Sequence, residues 1–93
     1  MNTLCVYRTL RVQNRLGMHL RASAQFVRLA CLFPCELRVI HNGRTLNGKS
    51  IIEMIGMAAG MGAVLTLEAE GEGAEACVQR LASLIEARFG EAE

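Results

Sequence analysis

Hydrophobic and polar positions along the chain switch between two periods, and the switches mark the elements. Residues 3–12 alternate, with Leu4, Val6, Leu10 and Val12 on one face and Arg8 as the interruption, which predicts a strand. Gln13 to Gly17 predict a loop. From Leu20 to Leu32 the period becomes helical: Ser23, Phe26, Val27 and Ala30 fall on one stripe, while Gln25 and Arg28 point away. Pro34, the single proline, ends that helix because it lacks an N–H and restricts the residue before it. Residues 35–41 alternate again, with Cys35, Leu37 and Val39 opposite Glu36, Arg38 and Ile40. Asn42-Gly43 is a tight-turn pair, so Arg44 to Asn47 should return antiparallel. Ser50 to Met57 predict a short helix, with Ser50 and Glu53 at capping-box spacing. Ala59 to Gly62 form a turn, and residues 63–70 a strand with Ala63, Leu65, Leu67 and Ala69 inward. Gly71 to Gly73 break it. A last helix is expected from Ala74 to Phe89, buried along Cys77, Val78, Leu81 and Ile85 and stopped by Gly90.

The order is β-α-β-β-α-β-α. Strands apolar on one face only imply an antiparallel sheet covered by helices on one side, an open-faced α/β (α+β) sandwich. Ninety-three residues suffice for one domain, 1–93, with one modest core. A hydrophobic share of 52% with 20% charged residues is globular in character, and with no Trp and 4% aromatics the core must be aliphatic.

Charge and cysteine change this picture little. Residues 1–49 hold eight Lys/Arg against Glu36 alone, a net of +7, and residues 50–93 hold two Arg against eight Glu, a net of −6. Either the basic half faces a phosphate or an acidic partner, or the halves interleave and their fields cancel. Cys5, Cys31, Cys35 and Cys77 all lie among apolar residues and are expected as small buried hydrophobes; they complete no zinc pattern, so no metal is expected. No leader pattern and no apolar run of membrane length is visible, which leads to the expectation of a cytoplasmic protein with reduced thiols and no membrane insertion. A nucleic-acid module would need an aromatic stacking platform that the composition lacks.

Two stretches carry candidate chemistry. Gly43-Arg-Thr-Leu-Asn-Gly-Lys49-Ser50 matches the phosphate-loop pattern, but its interior is better explained as the return strand of a hairpin. The chain also contains no Asp to hold a magnesium ion. His19 is the stronger candidate. It stands where the glycine-bearing loop gives way to a helix, and first-turn N–H groups favour anions there. An imidazole can act as a neutral nucleophile near pH 7, and Arg21 is close enough in sequence to add a charge-assisted contact. Without an aspartate to orient the ring, a hydrolase triad is not expected. From spacing alone, a solvated histidine beside a helix cap is the simpler account of His19.

The stretch Leu16-Gly-Met-His19-Leu-Arg21-Ala-Ser-Ala24-Gln-Phe26-Val27 resembles the active-site signature of HPr, the histidine phosphocarrier of the sugar phosphotransferase system. Asn47-Gly-Lys49-Ser50-Ile51 is similar to that family's regulatory-serine segment, and Ala69 to Ala76 to the turn into its last helix. The element order also agrees with the HPr fold, a four-stranded antiparallel sheet with three helices on one face. The resemblance implies that His19 accepts phosphate on Nδ1 from the phosphoenolpyruvate-dependent enzyme I. His19 would then pass it to an enzyme IIA-type domain, with Arg21 steadying the phosphoryl group. It implies a monomer without cofactor, an exposed ring with few fixed contacts, and a carrier rather than an independent enzyme.

The chain departs from the family at Ala22, where proline is usual, and at Leu20, where alanine is frequent. Gly17-Met18-His19 after Leu16 is similar to the family's nitrogen-regulatory branch, whose members control targets by phosphorylation state. Ser50 is read as a helix N-cap and, by resemblance, as the site of an HPr kinase/phosphorylase. Met18, Leu20, Ile51, Ile52 and Ile55 are expected around His19 on the docking face, although Ile52 or Ile55 would serve equally as core.

Overall fold

The computed structural model describes residues 4–93, so Thr3 at the start of the first predicted strand lies outside the described residues. The elements run β1 (Cys5–Arg11), α1 (Leu20–Ala30), β2 (Glu36–His41), β3 (Arg44–Asn47), α2 (Ile51–Gly56), β4 (Val64–Glu70) and α3 (Ala74–Glu86), followed by a 3-10 turn (Arg88–Gly90). The sheet order is β1-β4-β2-β3, antiparallel throughout. β1 and β2 therefore run parallel with a one-strand gap between them, and β4 fills it. β3 and β4 are likewise separated by β2. Each β-α-β crossover leaves the slot that the other occupies, so neither half of the chain can complete a sheet alone.

The period-2 pattern is realised in the burial. Leu37, Val39, Leu46, Leu65, Leu67 and Ala69 are buried against the helices, whereas Tyr7, Thr9, Arg11 and Val64 remain exposed on the other face. Helix α1 contributes Ala22, Ser23, Phe26 and Ala30 to the interior, and α3 contributes Ala74, Cys77, Val78, Leu81, Ala82 and Ile85. The phosphate-loop match dissolves as expected: its interior is strand β3, joined to β2 through Asn42 and Gly43 at φ of 50° and 77°, the paired left-handed residues of a two-residue hairpin.

Of the two readings of the charge split, interleaving is the one the fold produces, because acidic β4 sits between basic β1 and β2, the strand that carries Arg38. Arg38 pairs across the strands with Glu68 and Glu70, Arg8 reaches Glu86 at 3.4 Å, and Arg15 reaches Glu93 at 3.4 Å. The uniform burial expected for the cysteines is corrected: Cys35 and Cys77 are buried, Cys5 is half-buried, and Cys31 is exposed as the residue that ends α1.

The last helix also differs. It ends at Glu86, and Arg88, Phe89 and Gly90 follow with φ of 56°, 55° and 78°. Left-handed φ costs about 1–2 kcal/mol at each non-glycine residue. Burial of the Phe89 ring in the core, worth about 1.5–3 kcal/mol, offsets much of that cost. Phe89, expected as the last residue of the helix, is instead reached by a reversal of the chain, which turns the last residues back toward the start of α1.

Candidate functional site

The site is built where β1 hands over to α1. Val12 leaves the sheet paired with the turn after α2: its N–H donates to Ala63 O at 2.9 Å, and its carbonyl accepts from Gly62 N at 2.7 Å. The loop then turns at Gly17, with φ +69°, and Met18 N donates to Ala59 O at 2.8 Å. A Cβ on Gly17 would stand 2.5 Å from Ala59 O and 2.7 Å from Gly60 Cα, so glycine is required both by the torsion and by the approach of the neighbouring backbone. Met18 anchors the loop by burying its side chain, and Ser23 Oγ donates to Met18 O at 3.0 Å from beneath.

His19 is the N-cap of α1, with extended backbone (ψ −178°) and its own ring as the capping group: Nδ1 accepts from Arg21 N at 3.2 Å. Ser23 N donates to His19 O at 2.9 Å, which starts the helix. Among the described residues, the N–H of Leu20 meets no intramolecular acceptor and Leu20 is exposed, so the first turn keeps this donor for an anion. Ala22 is fully buried and packs into the core beneath this turn. The Arg21 side chain is exposed and makes no hydrogen bond or ion pair among the described residues, so it is free to turn toward the ring. Leu16, His19, Leu20, Arg21, Ala24 and Glu91 line one open cleft of about 510 Å³. A groove of similar volume lies between β2 and β3, where Arg38 is already satisfied by its glutamates and Lys49 Nζ donates to Phe33 O.

Glu91 was missed by the sequence reading, which looked only for an aspartate. Its Oε2 lies 2.5 Å from His19 Nε2, and its Oε1 accepts from Asn14 Nδ2 at 3.0 Å. Asn14 Nδ2 also donates to Gly17 O at 2.8 Å, so the buried amide joins loop and tail. Donation from Asn14, and then from the His19 ring, holds the Glu91 carboxyl below the usual carboxylate range. An ionised carboxylate only accepts, so Nε2 must carry the proton, and Nδ1, which accepts from Arg21 N–H, must carry the lone pair. The ring is therefore held at both nitrogens and its side chain is 26% exposed, which corrects the expectation of an exposed ring with few fixed contacts.

The expected docking residues separate. Leu20 (66% exposed), Ile52 (80%) and Ile55 are on the surface, and Ile51 is half-buried. Met18 is 3% exposed and belongs to the core, because the chain bends there and turns its side chain under the loop. Ile52 and Ile55 are not core either; Met54 and Met57 are the inward residues of that region. Leu16 and Met61 are further exposed apolar side chains, both on flanking loops where periodicity carries no signal. Ser50 caps α2 by accepting from Glu53 N at 3.3 Å. The reciprocal arm of the capping box is shifted: Glu53 Oε1 accepts from Asn47 N at 3.0 Å, while Ser50 N donates to Asn47 O.

Fold and site together define a class: a small open-faced sandwich that presents one tautomer-selected histidine at the N-terminus of a helix. Residues 6–87 match the family model described as the PTS HPr component phosphorylation site. The chain is 43% identical over 81 residues to phosphocarrier protein HPr of Pseudomonas aeruginosa, spanning 86% of this chain and 90% of that protein. It is 41% identical over 80 residues to HPr of Cupriavidus necator, with the same two shares, 86% and 90%. Against phosphocarrier protein NPr of Shewanella violacea the identity is 29% over 85 residues, 91% of this chain and 93% of that one. The solved structure of an HPr from Thermoanaerobacter tengcongensis superposes with a TM-score of 0.92 at 33% identity, covering 95% of this chain and 99% of that one. The chain belongs to the HPr family of phosphocarriers.

Proposed function

We propose that His19 Nδ1 is the atom that carries the phosphoryl group, received from enzyme I and delivered to a histidine of an enzyme IIA-type domain. The observation that carries this reading is the pairing of the ring: Nε2 faces Glu91 at 2.5 Å, and Nδ1 keeps its lone pair at a helix N-terminus beside the spare N–H of exposed Leu20. The Nδ1 lone pair attacks phosphorus, the bond from phosphorus to the donor breaks, and the donor leaves with that electron pair. Arg21 N–H, now bonded to the lone pair, turns to a phosphoryl oxygen together with the N–H of Leu20, and the Arg21 guanidinium adds charge from the rim. Among the described residues no helix is long and apolar enough to cross a membrane. Membership of the phosphocarrier family supports an exchange between partners in the cytoplasm. Leu20, Ile52 and Ile55 supply the apolar part of the docking face.

The test is incubation with phosphoenolpyruvate and enzyme I. One acid-labile phosphoryl group per chain is expected, absent from His19→Ala, and equal labelling of that variant would sink the proposal. Relatives with the HPr name reach higher identity than the NPr, which favours a sugar-type acceptor over a nitrogen-type one. Running the assay with both kinds of acceptor domain decides between them. We also propose Ser50 as a site for an HPr kinase/phosphorylase: its hydroxyl caps the N-terminus of α2, where the helix favours a phosphate, although the nearby Glu53 carboxylate opposes it. Labelling by such a kinase that persists in Ser50→Ala would refute this assignment.

A further inference from the structure

The tail after α3 supplies the neighbour of His19 Nε2, and several contacts build its path to that position. It leaves the helix through a left-handed reversal at Arg88, Phe89 and Gly90, with Phe89 driven into the core. Glu91 N donates to Arg88 O at 2.9 Å, Arg88 Nη1 to Ala92 O at 3.0 Å, and Arg15 N to Glu93 O at 2.9 Å. This clasp delivers one carboxylate to one ring nitrogen. The Glu91 side chain is 14% exposed, and its two oxygens are divided between His19 Nε2 and Asn14 Nδ2. Asn14 is fully buried and leaves its Oδ1 without a partner, a cost that a residue serving stability alone would avoid. The amide is oriented to serve Glu91 and Gly17 with its donors.

We propose that Glu91 is a positioning residue for phosphoryl transfer: its carboxylate holds the proton on His19 Nε2 both before Nδ1 is phosphorylated and while it is. This rests on the assignment of Nδ1 as the carrier atom. The chemistry follows from the leaving group. When the Nδ1–phosphorus bond breaks toward an acceptor, its electron pair returns to Nδ1. With the Nε2 proton retained the departing ring is neutral imidazole; without it the ring departs as an imidazolide anion, a far poorer leaving group. The ring that leaves is then the same Nε2–H tautomer that entered, so no proton moves during either transfer. The charged groups around the ring are few. Glu91 comes from the tail and Arg21 from α1, Arg15 and Glu93 are paired with each other beyond them, and the 57–62 loop carries no charge.

The decisive experiment compares wild type with Glu91→Gln, in the full chain, each phosphorylated with phosphoenolpyruvate and enzyme I. Loss of the phosphoryl group is followed by 31P NMR across pH, and the ring tautomer of the unphosphorylated protein by 15N NMR. In the variant the phospho-ring should give up its Nε2 proton at lower pH, so that transfer on the alkaline side slows about tenfold, the effect of a one-unit shift. The unphosphorylated ring should also lose its preference for Nε2–H, and Glu91→Asp should restore part of both effects. Coincident pH profiles and tautomer ratios would overturn the proposal and reduce the clasp to a structural tie. If wild-type His19 takes no phosphoryl group, the carrier assignment fails and the transfer part of this inference falls with it. The 15N tautomer ratio then decides the positioning part alone. A backbone NMR spectrum that overlays on wild type away from the tail establishes that the variants fold.

Discussion

Replacement of Gly17 by alanine tests whether the active loop is held as rigidly as its geometry implies. Two costs add. At φ +69° an alanine is in the left-handed region, which costs about 1–2 kcal/mol. Its Cβ would also stand 2.5 Å from Ala59 O and 2.7 Å from Gly60 Cα, and both are backbone atoms that no side-chain rotation can clear. Overpacking of this kind costs about 1–3 kcal/mol. A total of about 3 kcal/mol lowers the melting temperature of a domain this size by roughly 12–24 °C. Gly43→Ala is the control, because it shares the left-handed torsion (φ +77°) but its Cβ meets nothing within 4 Å. Urea denaturation of the three proteins should give a loss of about 1–2 kcal/mol for Gly43→Ala and about twice that for Gly17→Ala. Relief of the clash must push the loop off Ala59, so the Met18 N–H to Ala59 O bond should lose hydrogen-exchange protection in the Gly17 variant only. Equal destabilisation of both variants would refute the reasoning, since it would mean that the 57–62 loop yields freely and does not brace His19.

Three further outcomes follow from the same geometry. Phe89→Ala should cost about 3 kcal/mol by removing the buried ring that offsets the reversal, and the released tail should move the His19 15N signals in the same direction as Glu91→Gln; an unchanged His19 spectrum would separate the clasp from Phe89. The Glu91 carboxyl is held low in the folded state by Asn14 and His19, so its contribution to stability is complete above the ordinary glutamate value of about 4.3 and is lost as pH falls through the lower folded value. The difference in urea midpoint between wild type and Glu91→Gln should therefore shrink on acidification through that window, and a difference that grows would contradict the assignment. Thiol titration of the native protein should modify exposed Cys31 quickly and spare Cys35 and Cys77 until unfolding, the latter because burial pushes its thiol up to about 12.

Much of the fold was legible because its signals are local. Alternation placed the inward faces of β2 and β4, Asn42-Gly43 placed the hairpin, and Ser50 three residues before Glu53 placed the start of α2. His19 and Arg21 were legible for the same reason, since a cap and its first turn lie within three residues. The inward turn of Met18 was not legible, because at a bend ahead of a cap no periodicity assigns a face.

What the sequence determined alone is the order of elements, their buried stripes and the position of the candidate nucleophile, all properties of neighbouring residues. What only the tertiary structure decided is the company that nucleophile keeps. Glu91 is 72 positions from His19, and it arrives there because Phe89 finds a hole in the core and three successive residues accept left-handed backbone to reach it. No local propensity favours that path, and the energy that stabilises it comes from a cavity formed by the other elements. The ring's tautomer, and with it the choice of Nδ1 as the free nitrogen, is therefore a property of the closed fold.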